Sequence, residues 1–420
     1  MNLRSIVMML ALALSACVAS DAPDNAPDTT WVGTITTEGS VTTVMNESGS
    51  VWGGTATLVE DLSIGVNRGE EPYMFGWVIS LWATDERIYV VDNQVPALRV
   101  YDRAGRYLRD IGRPGPGPGE YQDPGAVALL PDGRITVREN GPGQRINVYS
   151  PAGELVDTWY GEPSFGTDTP PVVTYLGEYF TQTIGASDSE RQEQTMAMGR
   201  AGPDGIEGAL LFFPSIEQPE RLGLQVGRAN FGIPFRPAWR SAMLPSGSMV
   251  AGVTSRYRLV VQRLDGRRLV VERLIAAIPV EAGEREWQRR RLIASARRFD
   301  PSFDWDGEEM AGEHPILAAI IPDRSRRIWV LRTARVVRAP DCTEDPLNET
   351  VDTVIPCYES EYVADVFDES SGKFLGEVEL PNGVDLSPSF IQDDELYTTI
   401  EDDAGTIMVK RYRLVLPGER

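Results

Sequence analysis

The chain has 420 residues, of which 40 are Gly and 30 are Pro, and 42% are hydrophobic. That composition implies many turns around a real core, and it excludes a disordered chain and, with no glycine period, collagen. With 40 basic against 62 acidic residues, a formal net charge of −22 and one histidine, the surface repels phosphate backbones. Nucleic acid is therefore not an expected partner, and multi-histidine metal or catalytic sites are excluded.

Met1 to Arg4 makes a short positive start and Ile6 to Leu14 an apolar run. The run is too short to span a bilayer as a helix but fits the core of a signal peptide. The Leu14-Ser15-Ala16-Cys17 that ends it resembles a bacterial lipobox, whose Cys becomes the acylated first residue after cleavage; an ordinary secretory leader with a chance Cys is the alternative. Residues 1–17 are thus expected to be a lipoprotein signal with Cys17 acylated, and 18–50 a tether and N-terminal extension. Val18 to Thr30 is small, polar and proline-containing, as flexible tethers are. The expected location is outside the cytoplasm, lipid-anchored to the cell envelope in the periplasm or at the outer membrane. No later apolar stretch is long enough to cross a membrane.

From residue 51 onward one template recurs. Ile79 to Gly112 reads as an apolar run, a polar turn (Thr84-Asp85-Glu86), a buried-type strand (Arg87 to Asp92), an alternating strand (Ala97 to Asp102), an Ala-Gly turn and a last strand. The next segment repeats it, with Pro131-Asp132-Gly133 in the first turn and Pro151-Ala152-Gly153 in the second. The counterparts Tyr101 and Tyr149 lie about 48 residues apart, in the range of propeller repeats. Weaker copies follow over Val172 to Leu211, Ala242 to Leu274, Ile316 to Pro381 and Phe390 to Leu416. The last has three strands, and Thr55 to Gly65 (TATLVEDLSIG) is expected to supply the fourth, closing the ring and removing a sheet edge.

The expected fold is an all-β, six-bladed β-propeller of four-stranded antiparallel blades over 51–420. It carries a helical insertion near 281–300 and a disulfide loop over 333–362. A β-sandwich would not repeat one strand–turn template. Runs such as Ile88 to Val91 and Ile328 to Leu331 are continuously apolar, as strands covered on both faces are; each blade then needs two neighbours, and a closed ring supplies them.

The run Gly112-Arg-Pro-Gly-Pro-Gly-Pro-Gly-Glu-Tyr-Gln-Asp-Pro124, followed by a strand, Pro-Asp-Gly and RINVYSPAG, resembles the repeat of NHL-type propellers. The Trp329 strand, VFDESSGKFLGEVELP and DELYTTI…KRYRL are similar to the C-terminal pattern of bacterial six-bladed β-propeller lipoproteins, mostly uncharacterised. The resemblance spans nearly the whole mature chain and implies fold rather than activity. NHL-like relatives include amidating lyases, and other six-bladed propellers include calcium-dependent lactonases; those enzymes rely on His or on a cage of acidic and Asn ligands, and the single His argues against the lyase reading.

Blade topology sorts the loops by face. The short turns fall on one face, and the long connections Arg113 to Asp123, Phe213 to Trp239, Glu281 to Pro315 and Arg332 to Tyr362 fall on the other. Such insertions build a binding surface or merely cap the channel. Asp123, Arg236, Trp239, Arg240, His314 and Asp385 stand just before inner strands on that face. Their mixed charge and aromatic character suit a polar ligand, with Arg as a carboxylate clamp; ordinary inter-blade ion pairs are the alternative.

Four local signals complete the reading. The prolines of the Pro114 to Gly119 run lack the donors a phosphate cradle needs, so it reads as a stiff loop. Glu281 to Arg298 has acids first and arginines last, as a helix dipole favours, with Leu292, Ala296 and Phe299 on one side; its Arg289-Arg290-Arg291 run reads as a solvated face braced by neighbouring acids, with contact to an anionic lipid or polymer the alternative. Ser302 to Glu313 has calcium-loop spacing at Asp304, Asp306, Gly307 and Glu313 but Ser where the first Asp belongs; a solvated acidic loop is the default and calcium the alternative, with no other cofactor expected. Cys342 and Cys357 lie in one polar segment and read as a disulfide in an oxidising compartment. Two functional classes remain: an anchored monomer that binds a polar ligand or an envelope protein through the long-loop face, with no catalytic residues; or a divalent-metal hydrolase or lyase working at the channel.

Overall fold

The computed structural model describes residues 30–140, 145–161, 169–185, 196–216, 223–305, 310–348 and 354–419. Consecutive stretches of chain form antiparallel blades that meander outward. Blade 1 comprises Val78–Ala83, Arg87–Asp92, Ala97–Asp102 and Tyr107–Ile111, and blade 2 Pro124–Leu129, Ile135–Glu139, Arg145–Tyr149 and Leu155–Tyr160. Blade 3 comprises Val172–Val173, Tyr179–Ile184, Met196–Gly202 and Gly205–Phe212, and blade 4 Trp239–Met243, Met249–Val253, Arg258–Gln262 and Arg268–Arg273. Blade 5 comprises Leu317–Asp323, Arg327–Arg338, Tyr358–Asp368 and Phe374–Glu379. Blade 6 has Asp385–Gln392, Glu395–Glu401 and Ile407–Val415, and takes Ala56–Ile64 as its outer strand. First strands of neighbouring blades touch, blade 1 with 2 and 6, and blade 5 with 4 and 6, so they line the centre of the ring.

The physical cause is double-sided burial. Ile88, Val90 and Val91 of blade 1 and Ile328, Trp329 and Val330 of blade 5 are all buried; an isolated sheet would leave one such face in water. The turns recur for an equally local reason. Asp102, Asp132, Asp265 and Asp402 each accept a hydrogen bond from the backbone N–H two residues on. A glycine in left-handed conformation accompanies each, as at Gly133 (φ 83°) and Gly266 (φ 82°), where a side chain would be strained.

Closure is as the sequence suggests. Ala56–Ile64 pairs antiparallel with Ile407–Val415, Thr57 opposite Val415 and Ile64 opposite Val409, and Asp61 meets Arg411 at 2.6 Å. It also makes a short parallel pairing with the outer strand of blade 5.

Three expectations need correction. The N-terminal extension is structured: Val32–Glu38 and Val41–Ser48 form a hairpin whose second strand runs parallel to Arg268–Arg273, widening blade 4 to six strands. Val44 and Asn46 point inward from it, two residues apart as a strand requires. Val51 and Trp52 then donate to the carbonyls of Phe374 and Leu375, so residues 32–64 form a strap across the rims of blades 4, 5 and 6. Second, the helix α1 (Ala282–Ala296) ends before Arg297 and Arg298 and has no basic residue in its last turn. Phe299 lies beyond it and is exposed, edge-on to Phe231, while Glu284 and Trp287 join Leu292 and Ala296 on the buried side. Third, strands run on to Arg338 and resume at Tyr358, so the Cys342–Cys357 disulfide (Cα–Cα 4.8 Å) closes a loop shorter than 333–362.

The helix docks on that loop, Trp287 Nε1 donating to Thr343 O at 2.7 Å. Its arginine run is held by acids and a ring: Arg290 by Glu286 and Asp345, Arg289 by Asp304, and Arg291 over Trp287. In the Pro114 loop, Gly117 N–H donates to Glu120, whose carboxyl is held below its usual range by that bond and by Arg113, and Arg145 fills the carbonyl side. No helix among the described residues is long and apolar enough to cross a membrane. Residues 1–17 with Cys17, and the tether up to residue 29, lie outside the described residues.

Candidate functional site

Three insertions on the long-loop face converge between blades 4 and 5 and enclose a cleft of about 370 Å³. Blade 4 contributes Arg240 and helix α1 contributes Glu284 and Gln288, one turn apart on one helix face. The segment entering blade 5 contributes His314 and Ala318. The extended third strand of blade 5 contributes Tyr358, Ser360 and Tyr362, alternate residues that share one face of a strand. Thr333, opposite Tyr362, continues that wall.

His314 is 6% exposed and Glu284 3%. His314 Nε2 and Glu284 Oε2 lie 3.0 Å apart, so the chain's one histidine, at the end of the Glu281 to Pro315 insertion, is fixed by a carboxylate from the helix at its start. Phe235 stands edge-on to the imidazole, centroids 5.0 Å apart, and does so with a left-handed backbone, φ 62°. For a bulky residue that conformation costs on the order of 1–2 kcal/mol, which the surrounding packing offsets.

Arg240 is held differently. Its Nε donates to Ala318 O at 2.7 Å and its Nη1 to Trp239 O at 3.1 Å; among the described residues no carboxylate pairs with it. The blade 4–blade 5 interface elsewhere neutralises its cations. Buried Asp365 takes Arg273, Arg332 (3.2 Å) and the hydroxyl of Tyr257 (2.6 Å), and burial together with Asp365 keeps the Tyr257 phenol well above its ordinary range.

Of the six residues singled out from the sequence, Arg240 and His314 line this cleft. Trp239 and Arg240 lie inside the first strand of blade 4 rather than before it, because Trp239 pairs with Val253 and Arg240 with Gly252. Alternation sends Trp239 to the opposite face, where it meets Phe213 edge-on at 5.3 Å. Arg236 is half-buried in the loop just upstream. Asp123 is exposed at the junction of blades 1 and 2, accepting from Asn93 and Asn140, and does not reach the cleft. Asp385 lies within the first strand of blade 6, and its side chain is outside the described residues.

Of the calcium-loop residues, Asp304 and Glu313 are described. Asp304 caps Trp305 N–H and faces Arg289 at 3.8 Å, Glu313 is exposed in a bridge with Pro279, and Asp306 lies outside the described residues. Among the described residues, the one grouping with metal-ligand geometry is Cys342, Glu344 and Cys357, and its thiols are joined in the disulfide. Sequence reasoning missed Glu284, Gln288, Tyr358 and Tyr362; the alternation Tyr-Glu-Ser-Glu-Tyr over 358–362 was the available signal.

A family described as a 6-bladed beta-propeller, DUF5128, matches residues 71–129. No curated protein sequence matches the chain. Among solved structures, a member of the DUF4221 family from Bacteroides vulgatus is similar at TM-score 0.51 and 12% identity, over 87% of this chain and 99% of that one. A protein from Bacteroides fragilis gives TM-score 0.44 at 10% identity (89% and 99% covered). Regucalcin, a calcium-binding protein from Agrobacterium tumefaciens, gives 0.35 at 12% (87% and 99%). At such identities the first of these supports the fold alone.

Proposed function

We propose that this six-bladed β-propeller is an extracytoplasmic, lipid-anchored binding module that receives a small polar ligand in the cleft between blades 4 and 5. The observation that carries the reading is convergence: donors and acceptors from three separate insertions meet in one concave space, with a buried His314–Glu284 pair fixed in its wall. Concave sites with a few placed polar groups among apolar walls are where proteins bind small molecules. A left-handed Phe235 against the imidazole fits the strain that accumulates at such sites.

Incubating the purified full chain with a small-molecule extract of cell envelope, followed by native mass spectrometry, tests this against Ser360→Trp, which fills the cleft. A bound species present on the wild type and absent from the variant supports the reading; equal binding refutes it. The anchor has its own test. Metabolic labelling with an alkynyl fatty acid should mark the wild type and not Cys17→Ser, and labelling of both would refute acylation at Cys17.

A further inference from the structure

We infer that the cleft's ligand carries a carboxylate, seated on Arg240; the inference rests on the cleft being the binding site. The chain is strongly acidic, and its enclosed guanidinium groups are mostly met by carboxylates: Arg99 by Glu71, Arg145 by Glu139, Arg327 by Asp323, Arg332 by Asp365 and Glu377. Arg240 is the one Arg or Lys among the residues lining the cleft, and among the described residues it has none. Its two hydrogen bonds to Ala318 O and Trp239 O fix the plane of the guanidinium without neutralising it. Among the described residues Nη2 has no hydrogen-bond partner.

The cleft has a carboxylate of its own, and it does not serve this purpose. Glu284 is committed to His314 at 3.0 Å, so no carboxylate among the described residues compensates the positive charge of Arg240. A half-buried cation in that state gains from any anion that enters, and its planar fork suits a carboxylate. The remaining walls define the body of the ligand. Phe235, Tyr358 and Tyr362 supply rings and Pro234, Pro315 and Leu317 apolar surface, so the body is flat or apolar. Gln288 offers an amide that can both donate and accept. The class is a small aromatic or aliphatic carboxylic acid.

The test is a panel of aryl- and alkyl-carboxylates, each paired with its primary amide, titrated against the purified full chain by calorimetry. Saturation-transfer NMR on Ser360→Trp serves as the control for binding in the cleft. Acids should bind and their amides should bind about 10- to 100-fold more weakly, the span of one charge-assisted hydrogen-bonded contact. Arg240→Met should abolish that preference and Arg240→Lys should restore part of it. Because the acid–amide comparison is made on the wild type, it does not depend on how well a variant folds. Acids and amides bound equally well, in a manner that Ser360→Trp blocks, would overturn the carboxylate and leave the cleft standing as a site. Binding that Ser360→Trp leaves intact, or no binding by any member, would overturn both.

Discussion

Asn46 ties the N-terminal strap to two blades, and replacing it by Ala should release the strap. The side chain is 3% exposed and makes four hydrogen bonds. Nδ2 donates to Glu272 O and Gly372 O, both at 3.1 Å, and Oδ1 accepts from Trp31 Nε1 at 2.8 Å and Phe374 N–H at 2.7 Å. Two of these, to Gly372 and Phe374, are fully buried, so Ala would leave an acceptor and a donor dry and unpaired; the other two are within reach of water. At about 1–2 kcal/mol for each buried bond and about half that for each accessible one, the loss is about 4 kcal/mol, or roughly a thousandfold in the opening equilibrium. Native-state hydrogen exchange reads this directly. Amides of 41–46, paired with 268–273, should exchange faster by that factor, while those of blade 1 should not change. Acceleration below about tenfold, or equal acceleration in blade 1, would refute the account. Asn46→Asp sharpens it, since a carboxylate keeps the acceptor but points negative charge at two carbonyls, and should destabilise at least as much as Ala.

Replacing Cys342 and Cys357 by Ser should cost up to about 3 kcal/mol by the loop-entropy argument. It should also free the Thr343 carbonyl from Trp287, read as faster proteolysis within 343–356; an unchanged digestion pattern would count against the docking described. Asp365→Ala should destabilise by about 3 kcal/mol, because it strands Arg273 and the Tyr257 hydroxyl at an enclosed interface and leaves Arg332 with Glu377 alone; a urea-unfolding loss below about 1 kcal/mol would contradict that. Alkaline titration should be late and cooperative. Burial pushes the Tyr179 and Tyr397 phenols up to about 12 from 10.0, so above pH 10 the unfolded chain loses phenolic protons that the folded one keeps. Stability is full below about pH 10 and falls as pH rises toward 12. Phenolate absorbance growing smoothly from pH 9.5, with no unfolding step, would refute this.

Blade identity was legible because its determinants are local. The Asp and Gly of turns such as those at Asp102, Asp132, Asp265 and Asp402 and the apolar runs of the second strands act within a few residues of themselves, so Pro131-Asp132-Gly133 or Ile88 to Val91 announces its role. The closing strand was legible by subtraction, since the last unit lacked one strand and Thr55 to Gly65 had none to join. The hairpin was not, because its reason to exist lies elsewhere: Asn46 finds its partners 226 and 326 residues away, and Val41–Ser48 has β-branched character without a neighbouring repeat to pair with. The cleft was half legible. His314 and Arg240 stood out as rare or charged residues near inner strands, while Glu284 read as one more acid in a helix's first turn. Tyr358 and Tyr362 were absorbed into a loop that is in fact strand.

The strap imposes an order of events on the chain's synthesis. Glu60 meets Lys410 across 350 residues, so the closing strand Ala56–Ile64, unlike the hairpin before it, has no pairing partner until nearly everything else has been made. Joining ends that far apart costs only about 2 kcal/mol more than closing a 40-residue span, so the difficulty is one of waiting rather than of energy. During that interval a β-prone ribbon with open backbone groups is the species most exposed to mispairing, and Glu60 and Asp61 are the kind of edge charge that discourages it until Lys410 and Arg411 meet them.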